Sequence, residues 1–100
     1  MPLYLDEIWL HWSSLEEAKR ALELFRGMSA GSFAFPPGVT LRAGPWFSNE
    51  EAKVVLILDI ADHAQTFGAF GAALAHGVIA RRRLSPLVEW GAVEALIGLL

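Results

Sequence analysis

The chain has no cysteine, one tyrosine, two methionines and an unusually thin charge complement, 19% of its residues. Lacking cysteine, it has no disulfides, no thiolate nucleophile and no cysteine-based zinc or iron–sulfur site. Lysine and arginine total 8 against 11 aspartates and glutamates, a formal net charge of −3. The broad basic footprint of a nucleic-acid binder is therefore missing. Arg81-Arg82-Arg83 is the one basic run, and in a strand its side chains would alternate between faces, as ion pairs or a solvated edge. From His63 to Ala80 there is no Asp, Glu, Lys or Arg. Although 18 residues reach the lower limit for spanning a bilayer, two histidines, a glutamine and three glycines dilute the segment. A buried helix leading into a strand fits it better. The start, Met-Pro-Leu-Tyr-Leu-Asp-Glu, carries no basic n-region, so a cytoplasmic location is expected. No Gly-rich phosphate loop follows a strand, and the histidines do not form a local ligand motif. No cofactor and no metal are expected.

What is abundant is apolar surface. Hydrophobic residues make up 54% of the chain, above the roughly 45–50% usual for globular proteins. One hundred residues suit a single domain, and the excess points to self-association.

Lys53 to Ile60, Lys-Val-Val-Leu-Ile-Leu-Asp-Ile, is nearly unbroken in apolarity and rich in β-branched residues. It reads as a strand buried on both faces. Leu3 to Trp12 is a first strand. Ser14 and Glu17 form a capping box, and Leu15, Ala18, Leu22 and Phe25 recur at helical spacing up to Gly27, a natural helix stop. Phe35-Pro36-Pro37-Gly38 turns the chain into a second strand, Val39 to Phe47, whose Pro45 suits a sheet edge. Ser48 to Glu51 closes a hairpin onto Lys53–Ile60. Asp62 caps a second helix, with Gln65 at N3, a stripe of Phe67, Phe70 and Leu74, and an end at Gly77. Val78 to Trp90 is a last strand, with Pro86 again suggesting an edge. Val93 to Leu100 forms a short apolar helix.

The order predicts an α+β fold of ferredoxin-like βαββαβ type, a four-stranded antiparallel sheet with a short C-terminal helix. Right-handed crossovers place strands one and three centrally and both proline-bearing strands at the edges. Both long helices then cover one sheet face. By parity, the other face carries Glu7, Trp9 and His11, then Arg42 and Trp46, then Lys53, Val55, Ile57 and Asp59, with Arg83, Ser85, Leu87 and Glu89 from the last strand. Leu41, Ala43 and Phe47 fall on the helix side. A bare apolar face of that size calls for a second copy.

With this pattern the chain resembles the small dimeric α/β-barrel proteins, in which two ferredoxin-like sheets pack face to face. Pro37-Gly38-Val39, Trp46, Asp59 and Leu84-Ser85-Pro86-Leu87-Val88 are similar, over about the last two-thirds of the chain, to a family of short bacterial proteins of unknown function with that fold. The resemblance implies a homodimer with a cavity between its sheets, taking a small apolar or aromatic ligand. Proteins with the broader fold include haem-free monooxygenases, small-molecule degrading enzymes and proteins with no known activity, and the fold alone does not choose among them.

Two readings of the polar residues stay open. In one, His11 is the acid or base of a cofactor-independent monooxygenase or isomerase, acting on a small aromatic or polyketide-like substrate. Arg42 holds an anionic oxygen, Asp59 orients His11 or Arg42, and Trp9 and Trp46, beside Glu7, form the ligand-binding wall. In the plainer one Asp59–Arg42 is a cross-strand ion pair and His11 a hydrogen-bonded interface residue, ordinary features of a sheet. A third possibility is a protein-interaction module using the open face.

Overall fold

The computed structural model describes residues 2–66, Gly68, Gly71 and 75–100. Its strands are β1 (Leu3–Leu10), β2 (Val39–Phe47), β3 (Lys53–Ile60) and β4 (Ile79–Leu87). Helix α1 (Leu15–Ala30) joins β1 to β2. The β3–β4 crossover opens with a 3-10 turn, His63–Thr66, and is helical at Gly68, Gly71 and Ala75. Of the predicted second helix, Phe67, Phe70 and Leu74 lie outside the described residues, as does the side chain of Gln65. A C-terminal helix, Trp90–Gly98, follows β4. The order is β-α-β-β-α-β, and the antiparallel sheet runs β2-β3-β1-β4. This is the ferredoxin-like arrangement, with β2 and β4 at the edges as their prolines require.

Cross-strand partners fix the two faces. Tyr4, Asp6 and Ile8 of β1 lie opposite Leu58, Leu56 and Val54 of β3. These positions share the helix side, where Ile8, Leu10, Val54, Leu56, Leu58 and Ile60 form the core with Ala21, Met28, Val39, Val78 and Ile79. Leu3, Leu5, Glu7 and Trp9, opposite Asp59, Ile57, Val55 and Lys53, share the open side. From β4, Leu87, Ser85, Arg83 and Arg81 join them, opposite Leu3, Leu5, Glu7 and Trp9.

Several expectations are corrected locally. The register of β2 shifts twice, between Leu41 and Ala43 and between Ala43 and Trp46. Ala43 therefore lies opposite Ile57 on the open side, and Arg42 is the extra residue of a bulge. The second shift falls at Gly44, whose φ is 95°; a Cβ there would sit 2.8 Å from the Val55 carbonyl oxygen. Only glycine fits that approach.

Helix α1 starts where predicted: Ser14 Oγ accepts from the Glu17 amide, and Glu17 accepts from both the amide and the hydroxyl of Ser13. It runs one turn past Gly27, to a left-handed cap at Gly31 (φ 78°) whose amide bonds Met28 O. Its buried residues are Ala21 and Met28, while Leu15 and Leu22 point outward. The last strand ends at Leu87, and Trp90 belongs to the helix after it. No described helix is long and apolar enough to cross a membrane.

Candidate functional site

The six singled-out side chains are not brought to one place within the chain. Glu7 and Trp9 are neighbours on the open side of β1. Asp59 sits at the far end of the same face, opposite Leu3 and Thr40. Trp9 is six residue steps from Leu3 along β1, about 20 Å. His11 lies two residues further on, exposed, with its amide donating to Val78 O at 3.0 Å. Arg42 is exposed in the β2 bulge. Trp46 pairs opposite Val55 and is 54% exposed at the β2 edge.

Around Glu7 and Trp9 the structure assembles a charged cluster. Glu7 is buried; its carboxylate accepts from Arg83 Nε at 2.8 Å and Lys53 Nζ at 3.1 Å. The Arg81 guanidinium stacks 3.8 Å from the Trp9 ring centre, with Lys53 at 5.1 Å and Arg83 at 5.7 Å. Three cations thus lie within cation–π range of one indole, Lys53 from β3 and Arg81 and Arg83 from β4, and Arg81 and Lys53 were not singled out as site residues. The signal was available: Arg81 and Arg83 are two apart, so a strand turns both to one side. Alternation likewise sends Arg82 to the helix side, where Nε and Nη2 each donate to Asp6 at 2.7 Å.

The hydrogen bond from Arg83, then that from Lys53, holds the Glu7 carboxyl below the ordinary carboxylate range. A carboxylate depressed in the folded state contributes stability above its unfolded pKa, and that stability is lost as pH falls through the folded value. Thermal midpoints measured against pH should therefore drop below about pH 4.3, the unfolded glutamate range. In Glu7→Gln that acid-limb slope should shrink, with a lower midpoint at neutral pH. An unchanged slope would mean the cluster does not hold Glu7 ionised.

Asp59 is the other notable polar group. It is 5% exposed, and its Oδ1 has no hydrogen-bond partner among the described residues. A carboxylate oxygen desolvated without a partner is costly, and native structures contain few.

A sizeable concavity lies on the opposite side of the sheet. Between α1, the Phe33–Pro36 loop and the strands lies a cavity of about 550 Å³. Its walls are mainly apolar, including Leu24, Met28, Phe33, Phe35 and Leu56, and the buried Asp6–Arg82 pair closes part of the floor. None of Glu7, Trp9, His11, Arg42, Trp46 or Asp59 lines it. Its wall of Phe33 and Phe35, packed edge to face at 4.8 Å, comes from a loop whose aromatic spacing was the only hint in the sequence. A smaller apolar hollow, about 170 Å³, lies at the β2 edge among Trp12, Leu22, Trp46 and Phe47. Among the described residues there is no group of three or more His, Asp or Glu able to hold a metal.

Comparison with protein families, with curated proteins and with solved structures returns no match for the chain.

Proposed function

We propose that the chain is a cytoplasmic, homodimeric small-molecule-binding protein of the dimeric α/β-barrel kind, taking a small apolar or aromatic ligand. The observation that carries the reading is the apolar cavity of about 550 Å³. That lies within the roughly 300–1,000 Å³ typical of ligand sites, and its composition, apolar walls with one fixed polar pair, is also typical of them. The open face supports self-association: Leu3, Leu5, Val55 and Ile57 are only half-buried there.

An enzymatic reading has less support. His11 and Asp59 stand at opposite ends of the sheet, so acid–base chemistry using both would have to be assembled between two copies. A protein-interaction role for the open face would leave the cavity unused.

The test is calorimetric titration with 2-naphthol as an aromatic probe, on the wild-type chain and on Leu24→Trp, which fills the cavity from α1. Binding by the wild type and a loss of at least about tenfold in the variant, with the fold kept, is the expected result. Failure of the wild type to bind, or equal affinity in Leu24→Trp, would overturn the cavity as the binding site.

A further inference from the structure

We infer that the helix-side cavity takes a straight-chain amphiphile with an uncharged polar head, a long-chain primary alcohol, lying diagonally across the sheet. The inference rests on the binding role proposed above and adds the shape and head group of the ligand. Strand register fixes where the described walls stand. Ile79 of β4 lies opposite Leu10, while Val39 of β2 pairs with Ile60, whose amide donates to Pro2 O. Between those corners Ile8, Leu56 and Leu58 line the cavity from the two central strands. From corner to corner the wall runs eight residue steps along β1 and three strand spacings across the sheet, on the order of 30 Å. Over a run of that length a volume of about 550 Å³ has a mean width of only about 5 Å. That is the width of one extended hydrocarbon chain, whose carbons meet their neighbours at about 3.5–4.0 Å. A fused ring such as 2-naphthol occupies part of the run, whereas a straight chain follows it.

The walls are also polarised along that diagonal. At the Val39 end the described lining residues are Phe33, Phe35, Pro36 and Val39, with Met28 from the last turns of α1, and none of them carries a charge. The charged and titratable ones lie midway or toward the Ile79 end. Midway, Asp6 and Arg82 hold each other by two bonds of 2.7 Å. Arg20, Glu23 and His76 stand at the mouth, because α1 begins just after β1 ends at Leu10 and His76 precedes β4 by three residues. Arg20 is bonded to Glu16 at 2.7 Å, and Glu23 and His76 are exposed. This mixed mouth sets the head group. A carboxylate head would meet the Glu23 carboxylate, and an ammonium head would meet the Arg20 guanidinium. A hydroxyl avoids both repulsions, since it donates to a carboxylate and accepts from an N–H. It also enters without the desolvation cost of an ion.

The experiment titrates the full chain calorimetrically with 1-hexanol, 1-octanol and 1-decanol, beside 2-naphthol, decanoate and decylamine. Affinity should rise about fourfold for each added CH₂, with 1-decanol at least about tenfold tighter than decanoate and decylamine. Leu24 lies between Arg20 and Met28 on the cavity side of α1, so Leu24→Trp blocks the run partway. In that variant, its fold checked by circular dichroism, 1-decanol should lose at least about tenfold and 1-hexanol much less. Alcohols that bind equally whatever their length, while 2-naphthol binds, would overturn the linear ligand and leave the cavity reading standing. Decanoate or decylamine binding as tightly as 1-decanol would overturn the uncharged head. An unchanged alcohol series in Leu24→Trp would place the chains outside the cavity and overturn the inference. If neither 2-naphthol nor any alcohol binds, the cavity reading fails together with it.

Discussion

Replacing Asp6 with alanine should lower the unfolding free energy by about 3–5 kcal/mol, the scale for breaking a buried ion pair by removing one partner. Asp6 is 2% exposed and stands between Leu56 of β3 and Leu84 of β4, both apolar. Arg82 reaches it diagonally across the β1–β4 ladder, with two parallel N–H···O bonds of 2.7 Å. Alanine removes the bidentate acceptor and keeps the guanidinium desolvated beside the cavity. The double replacement Asp6→Leu with Arg82→Met should be far milder, neutral or even stabilising by about 1–4 kcal/mol, because apolar groups of similar volume avoid the desolvation altogether. Chemical unfolding of the three variants measures this. A loss below about 1 kcal/mol in Asp6→Ala would mean that the pair is effectively hydrated, as exposed pairs are. The cavity floor would then be wet.

Leu56→Ala should cost about 2–5 kcal/mol. Leu56 is 1% exposed, in the middle of the central strand, and lines the cavity. The cost scales with the space left behind, about 24 cal/mol per Å³, and a wall already bordering open volume has little to collapse onto it. The same variant reports on the ligand. Since anything that binds only the folded chain stabilises it, saturating 2-naphthol should raise the midpoint of Leu56→Ala at least as much as that of the wild type. A loss of under 1 kcal/mol with no change in probe affinity would show that Leu56 does not border the binding space.

The strand order, both edges and the open-face membership of Glu7, Trp9, Lys53, Asp59 and Arg83 were legible in the sequence. Two signals suffice there: the period of two and the prolines, which cannot donate to a ladder on both sides. Alternation fails where the ladder slips. Ala43 changes face because β2 carries an extra residue at Arg42, and nothing local in Thr-Leu-Arg-Ala marks that position. Gly44 marks the second slip, through a backbone approach visible only with β3 in place.

Helix α1 shows a second limit. Of the stripe Leu15, Ala18, Leu22, Phe25, Phe25 packs against the core, but the fully buried positions of the helix are Ala21 and Met28, and Leu15 and Leu22 stay outside. With two apolar stripes to choose from, tertiary packing decides which one is buried. The outward Leu22 is informative, because with Phe25 it becomes part of the edge hollow.

The candidate site was less legible than the fold. The helix-side cavity depends on how far α1 and the Phe33–Pro36 loop stand from the strands, a distance that no residue spacing encodes. The cage about Trp9 needed β4 in register with β1, and that register sets Arg81 opposite Trp9.

Self-association is the claim on which the rest depends, and the solution mass of the unmodified chain tests it most directly. Light scattering across a range of concentrations should return twice the chain mass of 10.9 kDa, falling toward one chain only at high dilution. A mass of 10.9 kDa at every concentration would contradict it and leave the half-buried apolar residues of the open face uncovered.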